Sequence, residues 1–248
     1  MRGTIRKAVI TCGGYATRLL PITKAVPKEM LPVGDRPVIH YILDELAAAG
    51  ITDVLILIGR GREALQNYLD KNYELDDFLN RNDNRVKTNF FEGLTISYRR
   101  VPLPRGVADC VLHAKAFVGR DDFILCYCDD IFFNGNPTAE LIANYDRFGQ
   151  PAVLGCAVPK ETAHKYGVIM PDGEIIEKPK NPENNIVAVG RYLLSPKIFA
   201  LIVRENCMVG ALNALKPKQI VITAATRFDT GARDGYYDAF SHFTENHQ

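Results

Sequence analysis

The sequence predicts an α/β fold, with helices flanking a mixed, mostly parallel sheet. Three observations carry this expectation. First, the apolar runs Ala8-Val9-Ile10 and Asp53–Ile58 read as buried strands, with an amphipathic stretch, Pro37–Ala49, between them. Strand, helix, strand is a βαβ unit, which implies a parallel sheet and a right-handed crossover. Second, Asp122–Cys128 is the most apolar strand and ends in Asp129-Asp130. Third, residues 160–195 abandon strand–helix alternation for short strands and turns. That change suggests a second, β-rich portion holding another ligand.

The elements follow in order. Lys7–Ile10 is the first strand, and a glycine loop follows it. Pro37 suits the first turn of the helix Pro37–Ala49, whose Ile39, Ile42, Leu43, Leu46 and Ala47 share one face, and Gly50 fits the cap after its end. Arg62–Leu79 is expected to be mostly helical, with Leu65, Tyr68 and Leu69 apolar, and residues 80–93 to be irregular. Leu94–Arg99 alternates as a strand does, Val101–Gly106 is a loop, and a helix runs over Val107–Ala116 from Gly106. Asn136–Phe148 is a helix and Pro151–Val158 a strand. Tyr166–Ile169, Gly173–Lys178 and Val187–Leu194 are short strands. Pro196–Glu205 is a helix, 206–219 has no clear pattern, and Ile220-Val221-Ile222 is a short strand. Phe228–Gly231 reads as a turn and Asp234–His242 as a last helix with Tyr236, Tyr237 and Phe240.

A chain of 248 residues buries roughly 70–75% of its unfolded surface and needs neither disulfides nor a metal to fold. Lys and Arg number 30, Asp and Glu 29, for a net charge of +1. That balance argues against a general nucleic-acid or membrane-surface binder and leaves room for a local basic pocket. Six cysteines form no C-x-x-C pair, so reduced, buried thiols in a cytoplasmic protein are expected and a zinc site is not. Met1–Lys7 leads straight into the first strand, with no signal peptide and no apolar run of membrane-spanning length. Neither repeats nor low-complexity segments are present.

Candidate chemistry begins at Cys12-Gly13-Gly14-Tyr15-Ala16-Thr17-Arg18-Leu19-Leu20-Pro21 and continues through Lys24-Ala25-Val26-Pro27-Lys28-Glu29-Met30-Leu31-Pro32. Adjacent glycines after a strand allow a sharp turn and close approach of a ligand. Exposed N–H groups in such a turn make a concavity for anions. Arg18 can fork onto phosphate oxygens and Lys28 adds a point charge. The generic alternative is an ordinary tight turn. The run is neither a Walker loop nor a Rossmann fingerprint. Asp129 and Asp130 either cap a loop or bind a cation, since carboxylates ending a buried strand are costly when unpaired. Asp229 in Asp-Thr-Gly and Glu177-Lys178 in Glu-Lys-Pro read, in isolation, as a turn and a solvated strand end. His40, His113 and His164 are scattered, as packed or surface residues are, and no Ser-His-Asp or Cys-His arrangement is readable.

Taken together, the Cys12–Pro32 pattern resembles the signature G-G-x-G-T-R-L-x-P…K-x-x-L-P of the sugar-1-phosphate nucleotidylyltransferases. Its spelling Lys28-Glu29-Met30-Leu31-Pro32 is most similar to that of the bacterial glucose-1-phosphate uridylyltransferase group. The resemblance runs from Lys7 to about Phe240, with its motifs in family order. It implies a Rossmann-like nucleotidyltransferase fold forming one domain, with residues 1–158 binding nucleotide and 159–248 binding sugar phosphate. It implies Mg²⁺ held by Asp129 and Asp229, with Arg18 and Lys28 acting on the reacting phosphates. Gly13, Gly14, Thr17, Arg18, Gly106 and Asp129 would bind the nucleotide. Gly167, Glu177, Lys178 and Gly190 would bind the sugar phosphate. The substrates would be a nucleoside triphosphate and a sugar 1-phosphate, first of all UTP and glucose 1-phosphate, and the protein a homo-oligomer, dimer or tetramer.

The chain departs from the family pattern in several places. Ala16 replaces the second loop glycine. Val101 stands where a base-reading Gln is usual, and Ala108 is spelled as in thymidylyltransferases. The acidic E-x-Q-L-T-D helix expected between Arg191-Tyr192 and Asp229 is missing, and with it part of the sugar-side wall or of a packing surface between subunits. These departures motivate two alternatives: a transferase using dTTP or another nucleotide or sugar, and a non-catalytic nucleotide-sugar-binding regulatory paralogue.

Overall fold

The structure is a computed structural model and describes residues 4–82, 86, 88–103 and 105–246. The expectations for Met1–Gly3, for residues 83–85 and 87 of the irregular stretch, and for Pro104 lie outside the described residues.

The first half contains β1 (Lys7–Cys12), the two-residue strands β2 (Pro32–Val33) and β3 (Arg36–Pro37), α1 (Val38–Ala48), β4 (Asp53–Ile58), α2 (Glu63–Leu69), α3 (Tyr73–Arg81), β5 (Thr95–Arg100), α4 (Val107–Leu112) and α5 (Lys115–Val118). Then follow β6 (Phe123–Tyr127), β7 (Asp130–Phe133), α6 (Pro137–Phe148) and β8 (Ala152–Ala157). The last third holds β9 (Gly167–Ile169), β10 (Ile175–Glu177), β11 (Ile186–Leu194), α7 (Lys197–Glu205), α8 (Met208–Ala214), β12 (Gln219–Ile222), β13 (Thr226–Asp229) and α9 (Arg233–Asn246).

Among the described residues one nine-stranded sheet runs β10-β9-β11-β6-β1-β4-β5, with β8 and β12 continuing from β11. β1 pairs in parallel with β4 and β6, and β4 with β5. β11 enters antiparallel between β6 and β8. The sheet is therefore mixed and mostly parallel on its glycine-loop side, as the βαβ pattern predicts. Alternate residues of β1 supply both cores. Ala8 and Ile10 face Ile39, Ile42, Leu43 and Leu46 of α1. Val9 faces the layer holding Val111, Val118, Ile198, Phe199 and Leu212. Since β1 and β6 are parallel, their carboxyl ends, Cys12 and Tyr127, finish on one edge, where open α/β sheets take ligands.

Five expectations need correction. The helix over Arg62–Leu79 is two helices, because Asp70 is extended and the Asn72 side chain caps α3 by accepting from Leu75 N at 3.0 Å. The helix over Val107–Ala116 breaks after Leu112 into α4 and α5. Residues 206–219 contain α8, capped by the Cys207 thiol. Asp130 does not end a strand: it starts β7, which pairs antiparallel with β13, Asp130 opposite Asp229. Phe228 and Asp229 therefore end a strand, and the turn begins after them.

Candidate active site

Gly13 and Gly14 follow β1 directly and line a cavity of about 550 Å³ together with Thr17, Arg18, Lys28 and Gly106. Ala16 caps the 3₁₀ turn Thr17–Leu19 with φ 51° and ψ 44°, the left-handed region. Its carbonyl accepts the Thr23 hydroxyl at 2.9 Å. A left-handed alanine costs about 1–2 kcal/mol, so this loop keeps the backbone path a glycine would take while carrying a methyl. Gly106, with φ 107°, opens α4 across the cavity. Val101 is buried there, its N–H donating to Ile58 O at 2.8 Å.

Lys28 rises from the 3₁₀ turn Lys28–Met30 and donates to Asp129 Oδ2 at 2.6 Å, both side chains largely buried. Burial opposes the charge on Lys28, but Cys128, Asp129 and Glu29 around it hold the ammonium above the usual lysine range. Burial pushes the Asp129 carboxyl up, yet Lys28, Arg18 and Arg227 together bring it below the usual range. Asp229 goes the other way: burial, then Asp130 and Asp129, push it up. Its nearest cation is Arg18, 3.9 Å away. The turn after β13 wraps Asp129. Thr230 N and Oγ1 donate to Asp129 O at 2.7 and 2.9 Å. A Cβ on Gly231 would collide with Asp129 Oδ2, so glycine fits there without displacing that carboxylate.

A second cavity, about 800 Å³, is lined by Gly167, Glu177, Lys178 and Gly190. Glu177 and Lys178 are exposed and 3.7 Å apart. Lys178 has φ 46°, and left-handed strain in a non-glycine residue clusters at ligand sites. A Cβ on Gly190 would meet Asp130 and Tyr127 at 2.6 Å. Arg18, Val107, Tyr127, Asp129 and Lys178 line both cavities. The structure thus places the residues expected to bind phosphates, sugar phosphate and metal on these two cavities, with Asp229 on the second and Gly13, Gly14, Thr17, Lys28 and Gly106 on the first, whereas Ala108 and the three histidines line neither.

The sequence reading missed the supporting roles of several residues. Buried Asp130 accepts Gly190 N–H at 2.7 Å on Oδ2 and Arg227 Nε at 2.7 Å on Oδ1. Arg227 in turn lies over the Tyr166 ring, 4.7 Å from its centroid. Fully buried Arg191 forks onto Glu45 and donates to the carbonyls of Tyr127, Gly190 and Asp130. The carbonyls of Tyr127 and Asp130 bracket Cys128-Asp129, so the ion pair braces the turn that carries Asp129. An arginine inside the apolar run Val187–Leu194 was the signal for it. Where the acidic helix was expected, α8 supplies Met208, Val209 and Leu212 to the second cavity. The wall is present, mostly apolar and without the acidic residues. Asn213 on α8 brackets β10 by accepting from Ile175 N and donating to Ile175 O.

Five cysteines are buried and Cys207 is exposed, all as free thiols. Among the described residues no helix is long and apolar enough to cross a membrane. No group of three or more His, Cys, Asp or Glu among them is arranged to hold a metal ion.

Two adjoining cavities at the carboxyl edge of a parallel sheet, with cations and carboxylates where they meet, define an α/β enzyme that handles phosphorylated ligands. The chain belongs to the nucleotidyl transferase family, whose profile matches residues 7–246. It is 36% identical to a Methanocaldococcus jannaschii chain provisionally named UTP–glucose-1-phosphate uridylyltransferase, over 95% of this chain and 92% of that one. It is 31% identical to UTP–glucose-1-phosphate uridylyltransferase 1 of Streptococcus pyogenes serotype M1, over 94% and 86%. The solved structure of UTP-bound UGPase from Acinetobacter baumannii superposes with a TM-score of 0.87 at 30% identity, covering 98% of this chain and 94% of that one. A UDP-glucose pyrophosphorylase complexed with UDP-glucose superposes with a TM-score of 0.83 at 29% identity, covering 98% and 99%.

Proposed function

We propose that this chain transfers a uridylyl group from UTP to glucose 1-phosphate, giving UDP-glucose and pyrophosphate. One observation carries the reading: the two cavities share Arg18, Asp129 and Lys178, so ligands filling both meet at those residues. The names of the relatives supply the choice of nucleotide and sugar. In this reading residues 1–158 bind UTP and 159–248 bind the sugar phosphate.

The reaction is an in-line displacement: a sugar-phosphate oxygen attacks the α-phosphorus of UTP and pyrophosphate leaves. Positioning and charge neutralisation supply the rate in such transfers. Gly13, Gly14 and Thr17 cradle the triphosphate, and Gly106 closes the base side. Arg18 holds the triphosphate and the leaving pyrophosphate. Lys28, charged throughout the working range because its pKa is raised, bridges the reacting phosphates. Lys178 holds the phosphate of the sugar, Glu177 accepts sugar hydroxyls, and the backbones of Gly167 and Gly190 line the ring. The donor set fits Mg²⁺, which takes one or two protein carboxylates plus phosphate oxygens. Asp129 and Asp229 would hold it, and Asp229, crowded by two other carboxylates, gains most from a cation. When bound, the ion neutralises phosphate charge. The protein is a cytoplasmic homo-oligomer in this reading, with a dimer or tetramer as the assembly that light scattering tests.

Pyrophosphate release, measured over a matrix of nucleoside triphosphates and sugar 1-phosphates, tests the proposal. The highest kcat/KM is expected for UTP with glucose 1-phosphate. Preference for dTTP would reassign the base through Val101 and Ala108. Absence of turnover with every pair, alongside tight UDP-glucose binding, would make the chain a binding protein instead.

A further inference from the structure

Arg62, at the start of α2, touches the nucleotide loop from behind. Its Nε donates to Cys12 O at 3.1 Å and its Nη2 to Gly14 O at 2.7 Å. The same guanidinium lies 2.5 Å from Glu29 Oε1, in an ion pair without the direction of a hydrogen bond. Glu29 is fully buried and Arg62 nearly so, at 0% and 11% exposure. Glu29 adjoins Lys28 in one 3₁₀ turn. One guanidinium therefore ties the lysine turn to both flanks of Gly13. Gly59 closes on the same strand end, its N–H donating to Cys12 O at 3.4 Å.

In a trans peptide the carbonyl and the following N–H point in opposite directions. Holding the carbonyls of Cys12 and Gly14 turns the N–H groups of Gly13 and Tyr15 to the opposite side of the loop from Arg62. Gly13, Gly14 and Tyr15 line the nucleotide cavity. Arg62 does not line it. It opens on a separate groove of about 460 Å³ beside Arg60, Gln66 and Arg100. A two-glycine loop has little intrinsic preference for one orientation of its amides, so an external clamp decides how many donors face the phosphates.

We propose that Arg62 is a positioning residue for the nucleoside triphosphate: it forks across the Cys12 and Gly14 carbonyls and pre-orients the loop amides, with Glu29 as its buried anchor. The inference rests on the assignment of the glycine-loop cavity to UTP. Arg62 touches no substrate. Its loss should weaken nucleotide binding and leave the sugar phosphate site, built on Lys178 and Gly190, as it is.

The test is UTP binding by titration calorimetry in the presence of Mg²⁺, with steady-state KM for both substrates, in Arg62→Met and Arg62→Lys. Arg62→Met can make neither bond to the loop carbonyls, so it should weaken UTP binding at least about tenfold, with sugar-phosphate KM unchanged. Arg62→Lys keeps the charge beside Glu29 but cannot fork across two carbonyls, so it should fold and recover only part of the affinity. UTP affinity equal to wild type in Arg62→Lys overturns the clamp, and so do parallel rises in both KM values. If wild type binds UTP yet transfers it to no sugar phosphate, the transfer reading fails, and the calorimetry still tests the clamp.

Discussion

Lys28 Nζ stands 2.6 Å from Asp129 Oδ2, so a cation of the glycine-loop cavity is engaged with a carboxylate common to both cavities. Removing one partner of a buried pair leaves the other uncompensated. Lys28→Met and Asp129→Ala should therefore each lower kcat by about 10²–10³, the scale of one lost charge-stabilising group. Because the two act as a unit, the double variant should lose little more than the worse single one. Steady-state kinetics on the three variants decides it, and losses that multiply would show two independent roles.

Asp130 links the second cavity to the same turn. Its carboxylate takes Gly190 N–H on one oxygen and Arg227 on the other. In Asp130→Ala, Arg227 loses its buried partner, at a cost of about 3–5 kcal/mol. Gly190 is released from its position on the second cavity. The expected result is a lower denaturation midpoint and a raised sugar-phosphate KM, with UTP KM much less affected. An unchanged sugar-phosphate KM in folded variant would remove Asp130 from the site's support.

Ala16 should be improvable. Its φ of 51° costs about 1–2 kcal/mol for an L side chain, and glycine gives back about 0.4–1 kcal/mol through the unfolded chain. Ala16→Gly should raise stability by up to about 1 kcal/mol, read from urea unfolding midpoints. A destabilised variant would show that the methyl makes contacts worth more than the strain.

The sequence showed most clearly what is local. The apolar periodicities of β1, α1 and β4 lie within single windows, so their pairing and crossover were legible. The family motifs likewise led to Gly13, Lys28, Asp129, Glu177, Lys178 and Asp229. α8 was hidden because Gly210 and Asn213 weaken its pattern and a thiol caps it. The burial of Met208, Ala211 and Leu212 against the sheet layer stabilises it instead. β7 and β13 pair across a long chain separation, with Asp130 opposite Asp229, and nothing near either strand announces the other. The same holds for Glu45–Arg191, 146 residues apart. Each of these charges is ordinary in its own neighbourhood and acquires a role only through its distant partner.

His40 gives stability a pH dependence away from the active site. The imidazole is almost fully buried among Tyr68, Phe90 and Phe91, with ring centroids 6.2, 5.0 and 4.9 Å away. Nδ1 lies 2.6 Å from Tyr68 Oη and Nε2 3.2 Å from Asp44 Oδ2. A neutral ring satisfies both contacts, accepting from Tyr68 and donating to Asp44. Burial lowers its pKa; Asp44 and Asp35 pull it up and Arg36 pushes it down, and burial prevails. A histidine whose folded pKa is depressed binds its proton more readily when unfolded, so acid favours unfolding. Its contribution is fully present above the ordinary value of 6.5 and is lost as pH falls through the lower folded value. Urea unfolding at pH 7.5 and at pH 5 should show wild type losing stability between them. His40→Gln should lose less over the same interval, although it starts from a lower stability because the ring packing is gone. Equal losses in the two proteins would assign the acid sensitivity to other groups.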